Sequence, residues 1–353
     1  MKLKPMLMIL ALGIGTALAG CSANSSDTES TGGKNDKLTI YTTIFPFQDF
    51  ATKIGGDKVE VESVLPPGVD AHSYEPTTKT MVHIAQADAF IYSGIGLEGF
   101  ADKAQNTLKN EDVVMIEAAK GIKLAKSSHP HEDEHAHEDE HAHEDEHAHE
   151  DEHAHEDEHA HEDEHAHEDE HAHEDEHAHG DTDPHVWLDP VLSIQLAENI
   201  KNELVKLQPE AKDEFEKNFN DLKAQLEDVD QQFKTVTDQA SKKEILVSHA
   251  AYGYWEKRYG LTQISVAGLS PTNEPSQKQL ETIINEAKEH NIQYFIFDQN
   301  LEPKVSKLVK NELGAEALTL HNLESLTKED IKNKEDYFSI MEKNIAALKK
   351  ALN

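Results

Sequence analysis

The architecture of this chain depends on the segment EAKDEFEKNFNDLKAQLEDVDQQFKTVTDQA, which runs from Glu210 to Ala240. Its apolar residues recur at spacings of three and four, which places their side chains on one face of an α-helix. They are Phe215, Phe219, Leu222, Leu226, Val229, Phe233 and Val236. At 1.5 Å per residue, such a helix is ~45 Å long. The pattern predicts a single helix, residues 209–240, that is long enough to join two lobes.

Short apolar strands alternate with helical segments on both sides of this helix. Before it, strands are predicted at 38–44, 59–65, 89–93 and 113–116, and helices at 48–54, 77–87, 97–108 and 190–207. After it, strands are predicted at 244–248, 263–269, 294–297 and 317–320, and helices at 251–259, 276–290, 304–313 and 337–352. This alternation is typical of parallel sheets. We therefore predict an α/β fold in which two lobes, residues 38–208 and 241–353, are joined by the rigid helix.

The first 20 residues are predicted to be a lipoprotein signal peptide. Two lysines precede an apolar run from Met6 to Ala19, which is too short to span a bilayer comfortably. The run ends in Leu18-Ala19-Gly20-Cys21, which resembles the lipobox of bacterial lipoproteins and predicts a lipid anchor on Cys21. Residues 21–37 are rich in small polar residues and predict a flexible tether. The protein is therefore expected on the extracytoplasmic face of a cell membrane or in a periplasm.

Cys21 is the only cysteine of the chain. Once lipidated, it leaves the mature protein without a thiol for a disulfide or for metal binding. Any metal site must then be built from histidine, aspartate and glutamate.

A repeat of period six, His-Glu-Asp-Glu-His-Ala, fills most of the insert 129–180 in the first lobe. Eight Glu-Asp-Glu triplets hold 24 of the 69 acidic residues, and without them the net charge changes from −36 to −12. No basic cluster indicates a nucleic-acid partner. The insert cannot bury an apolar core, so it is predicted to be disordered and to collect metal weakly. The accessory histidines are His131, His135, His137, His141, His143, His147, His149, His153, His155, His159, His161, His165, His167, His171, His173, His177 and His179.

Four residues outside the insert share a position typical of ligands. His72 follows a Pro-Pro-Gly turn after a strand, and His185 lies beside Asp183-Pro184. His249 and Asp298 each follow a predicted strand directly. In open α/β sheets, ligands bind outside the carboxyl ends of the strands. Because the four residues come from both halves of the chain, they predict a metal site in a cleft between the lobes.

Each of these residues also has an ordinary structural explanation. A single histidine is more often a surface or hydrogen-bonded residue than a ligand, and an aspartate after a strand is often a helix N-cap. His83, His290 and His321 have no supporting motif and are interpreted in that way.

Four motifs in order carry a family resemblance. They are Gly68-Val-Asp-Ala-His72-Ser-Tyr-Glu-Pro-Thr77, Asp183-Pro-His185-Val-Trp-Leu-Asp-Pro190, Ser248-His249-Ala-Ala-Tyr-Gly253 and Ala267-Gly-Leu-Ser-Pro-Thr-Asn-Glu-Pro-Ser276. Together they resemble the metal-binding solute-binding lipoproteins of ABC transporters, most closely the zinc-specific branch with its His-rich loop. Outside the insert, the resemblance extends from Leu38 to Asn353.

The resemblance implies a monomeric zinc receptor that delivers Zn²⁺ to the membrane permease of an ABC importer and catalyses no reaction. By motif match, His72, His185 and His249 are the imidazole ligands. The manganese branch has a carboxylate at the place of His249, and imidazole suits zinc better than manganese. Asp298 aligns with a family Asp or Glu and is predicted as the fourth ligand, a position that water can also fill.

Three alternatives remain at the level of sequence. The first is a manganese or iron receptor of the same family. The second is a zinc hydrolase, although the chain lacks a His-Glu-x-x-His helix and Glu75, the nearest acidic candidate, lies beside Pro76 in a turn. The third is a metal-storing surface adhesin in which the insert holds the metal.

Overall fold

The N-terminal lobe is built on a sheet of four parallel strands in the computed structural model, which describes residues 37–126 and 182–353. The strands are β1 (Leu38–Thr42), β2 (Val59–Ser63), β3 (Ala89–Tyr92) and β4 (Val114–Glu117), in the spatial order β2-β1-β3-β4. The connecting helices are α1 (Phe45–Gly55), α2 (Thr78–Ala85) and α3 (Ala101–Leu108). Ile40 of β1 is fully buried and pairs with Val61 and Ala89. Every residue of β3 is buried, as expected of a parallel strand covered on both faces.

A short antiparallel ribbon leads from this sheet to the next helix. It pairs β5 (Ala125–Lys126) with β6 (Thr182–Asp183). A 3₁₀ turn, Val186–Leu188, follows and leads into α4 (Pro190–Leu207). The carboxylate of Asp189 accepts hydrogen bonds from two backbone N–H groups in the first turn of α4, which explains why the helix begins there.

Four sequence predictions concern residues outside the described ranges. They are the signal peptide 1–20, the lipidated Cys21, the tether 21–37 apart from Lys37, and the insert 129–180 with its accessory histidines. Within the described ranges, no helix has the length and apolar character needed to cross a membrane.

Helix α5 (Lys212–Asp238) is the long helix expected from the apolar spacing. Its 27 residues correspond to ~40 Å, and a 3₁₀ turn, Pro209–Ala211, leads into it. The apolar positions of one face are buried, among them Phe215, Phe219, Leu222, Leu226, Val229 and Phe233. That face packs against α1 and α4. The helix is therefore part of the protein core and does not bridge open solvent.

The C-terminal lobe repeats the topology of the N-terminal lobe. Its parallel strands are β7 (Glu244–His249), β8 (Thr262–Ala267), β9 (Tyr294–Asp298) and β10 (Glu316–Leu320), in the spatial order β10-β9-β7-β8. Its helices are α6 (Gly253–Tyr259), α7 (Gln277–Glu289), α8 (Lys304–Leu313), α9 (Lys328–Asn333) and α10 (Tyr337–Ala351). In both sheets the strand order reverses between the first and third strands of the lobe. Such a switch point is where ligands bind in doubly wound folds.

One apolar core is shared by the two lobes, because α10 also packs against α5. Two buried tryptophans add reciprocal hydrogen bonds between the lobes. Trp255 donates its Nε1–H to the carbonyl of Leu188 at 2.7 Å, and Trp187 donates its own to the carbonyl of Asn322 at 2.7 Å. Each lobe therefore contributes one tryptophan that binds the backbone of the other, beside the segment that contains His185.

Three of the differences from the predicted elements have a clear physical reason. Helix α1 begins at Phe45 and not at Gln48, because proline is favourable in the first turn, where no N–H is needed. The ribbon β5–β6 is absent from the predicted elements, since strands of two residues have no periodicity. Helix α9 is absent from them as well; its start depends on a capping box between Thr327 and Asp330 and not on an apolar pattern.

Candidate metal centre

Two adjacent strands of the C-terminal sheet end in potential metal-binding side chains. His249 ends β7 and Asp298 ends β9, which pairs with β7. The His249 ring is fully buried, and its Nδ1 lies 2.7 Å from Oδ2 of Asp298. Ser248 Oγ donates a second hydrogen bond to the same carboxylate oxygen at 2.6 Å. Because Nδ1–H donates to the carboxylate, Nε2 is the ring nitrogen that can bind a metal.

His185 is oriented by a second carboxylate. It lies two residues after the end of β6, in the Asp183-Pro184-His185 segment, and is fully buried. Oδ1 of Asp183 accepts hydrogen bonds from the backbone N–H of His185 at 2.9 Å and from its Nδ1 at 2.8 Å. A Cβ at Gly253 would lie 2.5 Å from the other oxygen of Asp183, so a glycine is required there for this carboxylate to fit. Nε2 of His185 is therefore also left for a metal.

His72 lies in the loop between β2 and α2. The Pro66-Pro67-Gly68 turn places Gly68 at φ +79°, which glycine adopts without strain. The N–H of Gly68 donates to the carbonyl of Leu326 at 3.0 Å, so this loop is fastened to the C-terminal lobe. Asp70 accepts the backbone N–H of His72 at 3.2 Å. The His72 side chain keeps 11% of its surface exposed, whereas His185 and His249 are fully covered.

The three histidines converge on one buried carboxylate, that of Glu324. One ligand atom from each of the four residues lies within 4.8 Å of the others. Nε2 of His72 lies 3.3 Å from Nε2 of His185 and 3.6 Å from Oε1 of Glu324. Ligand atoms at 2.0–2.1 Å from a tetrahedral zinc ion are ~3.3 Å apart. The cluster is therefore close to the size that one four-coordinate ion requires.

The hydrogen bonding of His249 fits a metal ligand. Among the described residues, its buried Nε2 has no hydrogen-bond partner. Its ring centroid lies 5.4 Å from that of His185. Buried polar atoms are nearly always paired, so an unpaired nitrogen beside two further imidazoles and a carboxylate is suited to bind a cation.

The carboxylates set the charge of the cluster. Burial lowers the pKa of His249, but the carboxylate of Asp298 outweighs it and raises the pKa to about 9. Burial lowers the pKa of His185 despite the opposing effect of Asp183. Burial acts to raise the pKa of Glu324, but the hydrogen bond and positive charge of His72 and the other imidazoles lower it to about 2. At neutral pH, the cluster therefore combines an ionised Glu324 with a His249 that holds an extra proton in the absence of metal.

The structure places Asp298 differently from the prediction that it is the fourth ligand. Its carboxylate accepts a hydrogen bond from Nδ1 of His249, and the group of side chains that could hold an ion consists of the three histidines and Glu324. Glu324 follows β10, the neighbour of β9, after a turn of three residues. Its position at the carboxyl end of a strand is the signal that could have identified it. No motif marks the turn, so the local sequence does not point to Glu324.

The fold and the cluster define a class of protein. Two lobes of matching α/β topology, joined by one long helix and enclosing a cluster of metal-binding side chains, are the architecture of a metal-binding solute receptor. The family model described as "Zinc-uptake complex component A periplasmic" matches residues 40–351. The chain belongs to this zinc-uptake family.

Individual relatives agree with this assignment. The chain is 35% identical over 336 residues to the high-affinity zinc uptake system protein ZnuA of Bacillus subtilis, a match that covers 95% of this chain and 94% of that protein. It is 32% identical to the zinc-binding lipoprotein AdcA of Streptococcus pneumoniae over 89% of this chain, but spans only 55% of AdcA. The Zn(II)-bound ZnuA-like domain of that AdcA is similar with a TM-score of 0.67 and 31% identity, over 90% of this chain and 99% of that domain. The predicted family and fold are confirmed.

Proposed function

We propose that this protein is an extracytoplasmic zinc receptor that captures Zn²⁺ and delivers it to an ABC-type importer. The observation that carries the proposal is the convergence of His72, His185, His249 and Glu324 between two lobes of the solute-receptor fold. Relatives named for zinc uptake and zinc binding support it. A receptor of this kind binds and releases its cargo, and no chemical step is assigned to it.

In this proposal, the three imidazoles and Glu324 bind the ion directly. Asp183 and Asp298 then accept hydrogen bonds from Nδ1 of His185 and of His249. These hydrogen bonds fix the ring tautomers and increase the basicity of the metal-binding nitrogens. Three nitrogen donors and one oxygen donor suit zinc, whereas manganese prefers oxygen-rich sites. This ligand set replaces Asp298 with Glu324 and favours zinc over the manganese or iron alternative.

The substitution Asp298→Asn is expected to lower zinc affinity by about 10- to 100-fold, the range measured when a partner behind a histidine ligand is lost. The asparagine removes the charge that orients His249 but leaves all four ligands in place. Calorimetric titration gives the affinity, and X-ray absorption of bound zinc gives the coordination number, which should be unchanged. Glu244→Gln is the matched control, because Glu244 faces the peripheral His290 at 3.8 Å. A lost oxygen ligand in the Asp298 variant would instead make Asp298 the fourth ligand.

Zinc affinity is expected to rise about tenfold per pH unit from neutral pH up to about pH 9, because zinc and one proton compete for His249. Below pH 9, the metal-free ring holds this proton, and binding must release it. Titrations near neutral pH in two buffers with different ionisation enthalpies should show about one proton released per zinc ion. Binding without proton release would mean that His249 is neutral before the metal arrives.

The finer parts of the proposal concern attachment and partners. We propose that residues 1–20 are removed, that Cys21 carries the lipid and that residues 21–37 tether a monomeric body to the extracytoplasmic face of the membrane. The permease of an ABC importer is the proposed partner. The insert 129–180 is proposed to collect zinc with low affinity near the cleft, without supplying any of the four ligands.

Deleting residues 130–178 from the full chain tests where the function lies. One tight zinc site should remain after the deletion, as measured by competition with a chelator, because the proposed ligands all lie outside the insert. Loss of tight binding with the insert would overturn the proposal and favour a metal-storing adhesin. Zinc-limited growth of cells that carry only the deleted form should then be compared with growth of cells that lack the protein.

A further inference from the structure

Both oxygens of the Glu324 carboxylate are held by hydrogen-bond donors. Oε2 accepts the backbone N–H of Ala71 at 2.9 Å, a bond between residues 253 positions apart. Oε1 accepts from Nδ2 of Asn322 at 3.1 Å and is the oxygen that faces the imidazoles, 3.6 Å from Nε2 of His72. Ala71 is fully buried and Asn322 nearly so. Each oxygen of this carboxylate therefore has a separate, buried partner.

The orientation of the Asn322 amide follows from its neighbours. The backbone N–H of Asn322 can only donate, so the atom of Gln299 that it contacts at 3.0 Å is the amide oxygen. The amide nitrogen of Gln299 then donates to Oδ1 of Asn322 at 2.8 Å, and the backbone N–H of Glu324 donates to the same oxygen at 3.1 Å. Nδ2 of Asn322 is therefore the group directed at Glu324.

The turn that carries Glu324 is itself held tightly. Leu323 is buried with φ 63°, a left-handed conformation that is strained for a branched side chain. Its N–H donates to Nδ1 of His321 at 2.9 Å, and Trp187 donates to the carbonyl of Asn322. A strained residue persists when its surroundings determine its conformation. The Glu324 side chain therefore extends from a backbone with little freedom.

We propose that Asn322, together with the N–H of Ala71, restricts Glu324 to binding a metal through one oxygen and thereby makes Asn322 a residue that determines the preference for zinc over manganese. This inference rests on the proposed function. Each carboxylate oxygen has a second lone pair, so the restriction comes from orientation: Oε1 faces the imidazoles and Oε2 faces the N–H of Ala71. For Glu324 to bind with both oxygens, the carboxylate must rotate until Oε2 also faces the ion, which moves Oε2 off the N–H of Ala71 and Oε1 off Nδ2 of Asn322. Each of these steps leaves a buried donor unpaired.

One-oxygen binding determines the number of ligands. Three imidazoles and one carboxylate oxygen give four donors, the number that zinc prefers. Manganese favours octahedral, oxygen-rich coordination, which the second oxygen of Glu324 and a water molecule would approach. Asn322 thus acts through Glu324 as a positioning residue and disfavours the larger coordination shell.

The test compares Asn322→Ser with the wild type in the full-length chain. Serine can still accept the N–H of Glu324 in a turn but cannot reach Oε1 as a donor. The ratio of manganese to zinc affinity, measured by competition titration, is expected to rise about tenfold. Bound Co²⁺ should show strong tetrahedral visible bands in the wild type and weaker bands, typical of higher coordination, in the variant. Asn322→Asp, which keeps the acceptor oxygen of the turn, is expected to change both readouts in the same direction and serves if the serine variant does not fold.

Asn344→Ser is the matched control. Asn344 is an equally buried asparagine that anchors the same turn through the backbone of His321, at 2.8 and 2.9 Å, without touching Glu324. It should lower stability but leave the metal ratio and the Co²⁺ spectrum unchanged. Wild-type values of both readouts in the Asn322 variants would overturn this inference alone. Failure of the wild-type protein to bind zinc tightly would instead overturn the proposed function.

Discussion

Replacing His249 with alanine is expected to lower zinc affinity by more than about a hundredfold. The loss of a proposed ligand should exceed the effect of losing the hydrogen-bond partner of a ligand. His249 is the proposed ligand whose buried Nε2 has no hydrogen-bond partner within residues 37–126 and 182–353. Its removal leaves three donors and a cavity next to Asp298. Competition with a chelator of known affinity measures the change in the full chain.

The fold should survive this substitution. Asp298 still accepts hydrogen bonds from Ser248 Oγ at 2.6 Å and from the hydroxyl of Tyr252 at 3.4 Å, so its carboxylate is not left unpaired. His290→Ala is the control, because His290 is exposed and does not belong to the cluster. Tight zinc binding by a folded His249→Ala protein would contradict the proposed centre and favour binding by the insert.

Replacing Trp255 with alanine is expected to lower the free energy of unfolding by about 3–5 kcal/mol, the usual cost of removing a large aromatic side chain from a core. Trp255 is fully buried, and its ring centroid lies 4.8 Å from that of Phe233 on α5 and 4.7 Å from that of Tyr252. The change also leaves the carbonyl of Leu188 without its donor. Denaturant unfolding of metal-free protein measures the effect, since bound zinc would add stability of its own.

Two further variants separate packing from hydrogen bonding in this prediction. Trp255→Phe retains most of the ring contacts but loses the Nε1–H, so a loss of about 1–3 kcal/mol is expected. Leu308→Ala changes a side chain that is 63% exposed and should alter stability by no more than about 0.5 kcal/mol. Equal losses for Trp255→Ala and Leu308→Ala would contradict the shared core of the two lobes.

The structure also explains why the lobes present a preformed cluster. Trp187 and Trp255 connect the lobes through residues 187 and 188, directly after His185, and Arg258 of α6 pairs with Asp189 at 2.6 Å. A preformed arrangement reduces the ordering that binding would otherwise require. An ion bound as proposed would therefore meet side chains that are already close to the separations a four-coordinate site requires.

Much of the fold and of the candidate site could be predicted from residues close together in the chain. The spacing of three and four in α5 places one face against the core whatever its neighbours are. Alternating strands and helices imply parallel sheets, and His249 and Asp298 at strand ends imply a site at that edge. Asp183 lies two residues before His185 and accepts a hydrogen bond from its ring, so this contact also lies within a short stretch of the chain. In each case the physical cause is a period or a contact within a few residues.

The fourth member of the cluster depended on tertiary structure instead. Asp298 ends one strand of the C-terminal sheet and Glu324 follows the neighbouring strand. A local pattern does not distinguish the carboxylate that faces the imidazoles from the one that accepts a hydrogen bond from a ring. The distinction follows from the spatial order of the strands, β10-β9-β7-β8, and from the hydrogen bond that Ala71 donates to Glu324, 253 positions away in the chain. Periodicity is a local property of the chain, whereas the meeting of side chains so far apart depends on how the two lobes pack. The sequence therefore indicated the two α/β halves and the three histidines that lie together, and only tertiary packing placed Glu324 beside those histidines.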